Sequence, residues 1–111
     1  MSEVLHGLQP EERKYVEEIL RSSGFFYEFE VETALEIFDE TLLKGETGSG
    51  YCWLKVVDNN RMIAFANFGK NSFSVHSWDL YWIAVHKDFR NRKLGSLLLK
   101  SVENNVRENG G

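Results

Sequence analysis

At 111 residues the chain has room for one domain, residues 1–111, with a single core and little stability to spare. Its 42% hydrophobic and 27% charged residues are those of an ordinary globule, and no apolar run approaches the roughly 20 residues that span a bilayer, so no membrane role is expected. The net charge is −4, from 13 Lys and Arg against 17 Asp and Glu, which argues against a nucleic-acid binder relying on overall positive charge.

The N-terminus, Met1-Ser2-Glu3-Val4-Leu5-His6, lacks the basic start and long apolar core of a secretory signal, and a cytoplasmic location is expected. Gln9-Pro10-Glu11-Glu12 has Pro where a first helical turn tolerates it and acids where the helix dipole favours them. With Val16, Ile19 and Leu20 at helical spacing, this predicts a helix from about Pro10 to Ser22, broken by Gly24. After Phe25-Phe26-Tyr27 a second helix shows Val31, Ala34, Leu35, Phe38 and Leu42 on one face and ends at Lys44-Gly45. Glu46-Thr47-Gly48-Ser49-Gly50 is expected to be a flexible loop. Tyr51 to Val57 and Met62 to Phe68 then read as strands of a hairpin around Asp58-Asn59-Asn60-Arg61. Trp78 to His86 is a third strand. A last helix, from Arg92 or Lys93 to Asn109, carries Leu94, Leu97, Leu98, Val102 and Val106 on one face before Gly110-Gly111.

Cys52 is the only cysteine, so no intrachain disulfide can form, and between Tyr51 and Trp53 it reads as a buried thiol. The three histidines share no metal-ligand spacing, and no metal is expected. His76 before the third strand and His86 at its end are read as exposed loop residues, although either could relay a proton at neutral pH.

The most informative stretch is Asp79 to Leu99: a buried strand, a short basic loop and the first turns of an apolar-faced helix. Such a loop turns backbone N–H groups inward, and the helix start offers unpaired N–H groups and the positive end of its dipole to an anion. From Lys87 to Lys100 the chain carries Lys87, Arg90, Arg92, Lys93 and Lys100 against Asp88 alone. So compact a basic patch suits a small polyanion better than a duplex.

This run, with Arg90 and Gly95 at the required spacing, resembles the acyl-CoA-binding motif of the GNAT N-acetyltransferase superfamily. Lys93 stands where the motif's first glycine is expected. Asp79-Leu80-Tyr81-Trp82-Ile83-Ala84-Val85 and Ser49-Gly50-Tyr51 look like strand segments of a bacterial subgroup. The resemblance implies an α+β layered domain, a mostly antiparallel sheet with flanking helices. It also implies that only the N-terminal portion is present: the family's further strands and helix, and a tyrosine that often protonates the departing thiolate, are expected to be missing from a truncated chain. The implied activity is acetyl transfer from acetyl-CoA to an amine by direct attack, weak or absent in so short a chain. The alternative is a non-catalytic CoA-binding or protein-interaction module.

By the same resemblance, Ile83, Ala84 and Val85 pair with the pantetheine arm, the Ile83 N–H lying near the thioester carbonyl. The N–H groups of Asn91, Arg92, Lys93, Leu94, Gly95 and Ser96 would hold the pyrophosphate, with Arg90, Arg92 and Lys93 adding mobile positive charge. Lys93 is expected at an ordinary helix start, where its ammonium attracts the phosphates; a positive φ there would instead cost about 1 kcal/mol. Asp79 is the candidate general base, on the face of Tyr81, Ile83 and Val85 by the two-residue period, or else an aspartate bonding loop backbone at a strand entrance. Phe25, Phe26, Tyr27 and Phe29 are expected in the core, with an acceptor pocket as the other use. The expected partners are a small-molecule or protein amine and a second copy of the chain along an open sheet edge, with no nucleic acid and no membrane.

Overall fold

A computed structural model of the chain describes residues 3–70 and 78–108. In order these form β1 (Val4–His6), a 3-10 turn (Pro10–Glu12), α1 (Arg13–Ser23), α2 (Glu28–Ser49), β2 (Tyr51–Asp58), β3 (Arg61–Lys70), β4 (Trp78–Val85), a second 3-10 turn (Lys87–Arg92) and α3 (Leu94–Glu108). The strands make one antiparallel meander in the order β1-β2-β3-β4, the α+β architecture the sequence predicts. His76 and the segment from Asn109 onward lie outside the described residues. No helix among the described residues is long and apolar enough to cross a membrane.

The helices divide between the two faces of the sheet because side chains alternate along each strand. On one face Val16, Ile19 and Leu20 of α1 and Val31, Ala34, Leu35 and Phe38 of α2 pack on Trp53, Met62, Phe65 and Ala84. On the other, Leu94, Leu98 and Val102 of α3 cover Leu54, Val56, Ile63, Ala64, Ala66 and Phe68. With both faces covered, β2 and β3 read as nearly continuous apolar runs. The turn between them has Asn59 at φ 52° and Asn60 at φ 62°, the paired left-handed conformation of a two-residue hairpin loop.

Three features depart from expectation. β1 is too short to show a periodic pattern, yet it adds an edge by pairing Val4, Leu5 and His6 with Val56, Lys55 and Leu54. Residues 46–49 are a helical turn rather than a flexible loop. The backbone breaks at Gly45 (φ 75°, ψ 171°), where the helix was expected to end, then winds one more turn and closes on Gly50, whose N–H donates to the Glu46 carbonyl at 2.9 Å. The Glu46 carboxylate holds that turn, accepting the Trp53 N–H at 3.0 Å and meeting His6 Nε2 at 2.5 Å. Leu42 and Leu97, assigned to apolar faces, are exposed at the margins of the stripes of their helices.

The decisive irregularity is in β4. Asn67 pairs with Trp82 and Phe68 with Leu80, so Tyr81 is an extra residue bulged out of the ladder.

Candidate functional site

β4 is the last strand of the meander, and among the described residues no strand pairs with its outer edge. Successive residues of a strand send their N–H and C=O groups to opposite sides. The His86 N–H donates to the Ile63 carbonyl at 2.8 Å, so Ala84 also turns toward β3, while Ile83 and Val85 turn their backbone groups to the open edge. Of the three residues expected to pair with a pantetheine arm, these two are oriented to do so.

After β4 the chain makes the 3-10 turn Lys87–Arg92 and passes Lys93 into α3. The first bond of α3 runs from the Leu97 N–H to the Lys93 carbonyl at 3.2 Å, so the N–H groups of Leu94, Gly95 and Ser96 have no intrahelical acceptor. The expected stretch of converging amides is therefore shorter than Asn91 to Ser96, since a 3-10 turn uses its own amides in i→i+3 bonds. Lys93 is not an ordinary helix start. It sits at φ 56°, ψ 30°, the left-handed conformation that favours the glycine of the motif, because the chain must reverse from the 3-10 turn into α3. A Cβ at Gly95 would meet nothing within 4 Å, so the helix start opens on free space.

The two arginines are less free than expected. Arg90 Nη2 donates to the Ser23 carbonyl at 2.7 Å and its guanidinium lies 5.1 Å from the Phe25 ring centre. Arg92 lies 4.8 Å from the centre of the Phe89 ring, with Nη1 3.8 Å from Asp58 Oδ2. Lys93 is exposed at the helix start, and Lys100 is exposed further along α3.

At the other end of β4 the bulge overturns the two-residue period used for Asp79. Asp79 stands opposite Gly69, so it shares the α1–α2 face with Trp82 and Ala84, opposite that of Ile83 and Val85. Tyr81 lies 5.6 Å from Tyr51, ring centre to centre, and its Cε2 lies 3.1 Å from where a Gly69 Cβ would be. Burial, then the nearby Asp79, then Tyr51 push the Tyr81 phenol above its ordinary pKa. Tyr81 is thus a neighbour of Asp79, and Tyr51 a neighbour of Tyr81, that the sequence reading missed, because a register slip leaves no mark on the hydrophobic pattern.

Three further expectations change. Phe25, Tyr27 and Phe29 are not core residues but 77%, 71% and 66% exposed; only Phe26 of that group packs against the core. Tyr27 and Phe29 stack at 5.8 Å. His86 is buried rather than exposed. Cys52 is half-buried, and burial first and Glu46 second push its thiol up to about 11, a poor nucleophile at neutral pH. No group of three or more His, Cys, Asp or Glu among the described residues is arranged to hold a metal.

A model of the acetyltransferase (GNAT) family matches residues 13–111. The chain belongs to this family. A solved GNAT-family protein from Desulfovibrio desulfuricans superposes with a TM-score of 0.95 at 31% identity, covering 100% of this chain and 69% of that one. The PaiA N-acetyltransferase of Thermoplasma acidophilum, solved in complex with coenzyme A, matches with a TM-score of 0.75 at 15% identity, over 99% of this chain and 74% of that one. The ribosomal-protein-S18-alanine N-acetyltransferase of Escherichia coli gives 0.74 at 20%, over 99% and 62%. At these lower identities the likeness is one of fold. No curated protein sequence matches the chain. The open edge of β4 and the helix start that follows it are accordingly features of a GNAT domain.

Proposed function

We propose that this GNAT domain binds acetyl-CoA and passes the acetyl group to an amine, on a small molecule or a protein, by direct attack. One observation carries the reading: the outward backbone groups of Ile83 and Val85 are followed, after the turn Lys87–Arg92, by amides of Leu94, Gly95 and Ser96 that have no intrahelical acceptor. A pantetheine arm is a chain of amides that can pair with such an edge, and a diphosphate suits a helix start. Open space at Gly95 leaves room for close approach, and the exposed Lys93 adds positive charge. These residues fit the co-substrate, whose thioester supplies the activated acetyl group.

In this chemistry the Ile83 N–H donates to the thioester carbonyl as charge develops there, an effect of about 3–4 kcal/mol where such donors have been removed by mutation. Asp79 takes the proton from the attacking nitrogen, through a water because an aspartate is short. The carbon–nitrogen bond forms, the carbon–sulfur bond breaks, and the thiolate departs and takes up a proton. Tyr81 neighbours the base and, with Tyr51 against it, lines the approach of the amine.

Calorimetry with CoA and acetyl-CoA, combined with thiol release across a panel of amines, tests the reading. Binding with transfer supports it. Binding without transfer identifies a CoA-binding module, and no affinity for either ligand removes both. Light scattering with and without CoA adds a second check, because a second copy paired along β4 would compete for the same edge.

A further inference from the structure

His86 ends β4 and begins the turn that leads to the start of α3, and it is only 5% exposed. Its backbone is held on both sides, the N–H by the Ile63 carbonyl at 2.8 Å and the C=O by the Phe89 N–H at 2.9 Å. Its ring is surrounded as well. Nδ1 faces the Asp88 N–H at 3.2 Å, with Asp88 Oδ2 at 3.7 Å. Nε2 lies 3.1 Å from Glu18 Oε2 and 3.2 Å from Arg61 Nη2, and Arg61 is itself bonded to Glu18. The Phe89 ring packs edge-on at 6.0 Å.

A neutral imidazole has one N–H and one lone pair, which decides among these contacts. The Asp88 amide can only donate, so Nδ1 carries the lone pair and Nε2 the proton, donated to Glu18. The other tautomer would set two N–H groups against each other at Nδ1. That tautomer turns the Nε2–H toward Arg61 Nη2, also a donor, at 3.2 Å, and Glu18 Oε2 accepts from both.

From this arrangement we infer that His86 is a positioning residue for the phosphate-binding turn, locked as the Nε2–H tautomer. Its Nδ1 caps the turn Lys87–Arg92, and its Nε2–H ties that turn to α1. Two more ties run to the C-terminal end of α1: the Lys87 N–H to Ser22 Oγ at 3.3 Å and Arg90 to the Ser23 carbonyl at 2.7 Å. The frame so built sets the direction in which the chain enters α3 and hence where the amides of Leu94, Gly95 and Ser96 point. His86 touches no ligand. Its effect on binding rests on the acyl-CoA reading, whereas its tautomer does not.

The test uses the full chain. Nitrogen NMR of the neutral His86 ring is expected to show Nε2–H, and Nδ1–H overturns the proposal. CoA calorimetry compares three variants. His86→Asn keeps a capping acceptor for the Asp88 amide, His86→Gln reaches toward Glu18 without capping, and His86→Ala does neither. Affinity for CoA is expected within about threefold of the parent for Asn and weaker by about fivefold or more for Gln and Ala, the worth of a lost cap. In an active protein the loss appears in the KM for acetyl-CoA with kcat nearly unchanged. Equal affinity in all three variants, or an Asn variant as weak as Ala, overturns the proposal. If Ala fails to fold, the Asn and Gln pair decides. If the parent chain shows no affinity for CoA, the acyl-CoA reading fails, and the tautomer alone decides the cap.

Discussion

Asp79 stands directly across the β3–β4 ladder from Gly69, and the bulged Tyr81 closes over the same glycine. A Cβ at position 69 would lie 2.5 Å from the Gly50 carbonyl oxygen and 3.1 Å from Tyr81 Cε2, so the glycine leaves room both for the Gly50 backbone and for the Tyr81 ring. If Asp79 is the base, Asp79→Asn lowers kcat by about 10²- to 10⁴-fold and leaves acetyl-CoA affinity unchanged. Steady-state kinetics beside calorimetry separate the two effects, and an unchanged kcat would assign Asp79 to structure alone.

The helix start allows stability and binding to be separated. Lys93→Gly relieves a left-handed lysine and is expected to stabilise the fold by up to about 1 kcal/mol, read by thermal unfolding. The Cβ of a Gly95→Leu variant meets nothing within 4 Å in the free protein, and the variant is expected to fold normally yet to weaken CoA binding at least tenfold by filling the space a diphosphate would occupy. Unaltered affinity in the leucine variant would move the phosphate site elsewhere.

Cys52 titrates late because it is half-buried and close to Glu46. The folded thiol, pushed up from 9.0 to about 11, holds roughly a hundredfold less thiolate near pH 8 than the unfolded chain, and iodoacetamide should modify it correspondingly slowly. The folded group binds its proton more tightly than the unfolded one. Its contribution to stability is therefore full below pH 9 and is lost as pH rises toward about 11. Cys52→Ala should flatten that alkaline decline in a denaturation series.

Lys55 Nζ lies 2.7 Å from both carboxylate oxygens of Glu12, and both residues are buried beneath α1. Glu12 Oε1 also accepts the Gln9 N–H at 2.7 Å, so the pair joins the entrance of α1 to the sheet. Glu12→Gln strands a buried ammonium and is expected to cost about 3–5 kcal/mol in urea unfolding. Replacing both residues with apolar ones of similar volume should cost much less, and equal losses would mean the charges are not compensating each other.

The helices, the β2–β3 hairpin and the strand-turn-helix run were legible because each leaves a local mark. Val16, Ile19 and Leu20 recur at 3.6-residue spacing, Asn59-Asn60 suits a left-handed turn, and Arg90 with Gly95 carries the motif. β1 escaped because three residues make no period, and the turn at residues 46–49 because its support comes from Trp53 and His6, distant in sequence. The fate of Phe25, Tyr27 and Phe29 was hidden for a related reason: composition indicates that aromatics can bury area, but not whether anything lies above them.

The chain's own pattern determined which segments coil, which extend, and that a basic turn and a helix start follow β4, since propensity, periodicity and charge act over a few residues. Tertiary structure alone decided that Lys93 turns left-handed, that a bulge carries Asp79 to the other face, and that His86 is buried against Glu18 and Arg61. Those outcomes depend on register and packing between elements far apart in sequence, and neither is encoded in any local window.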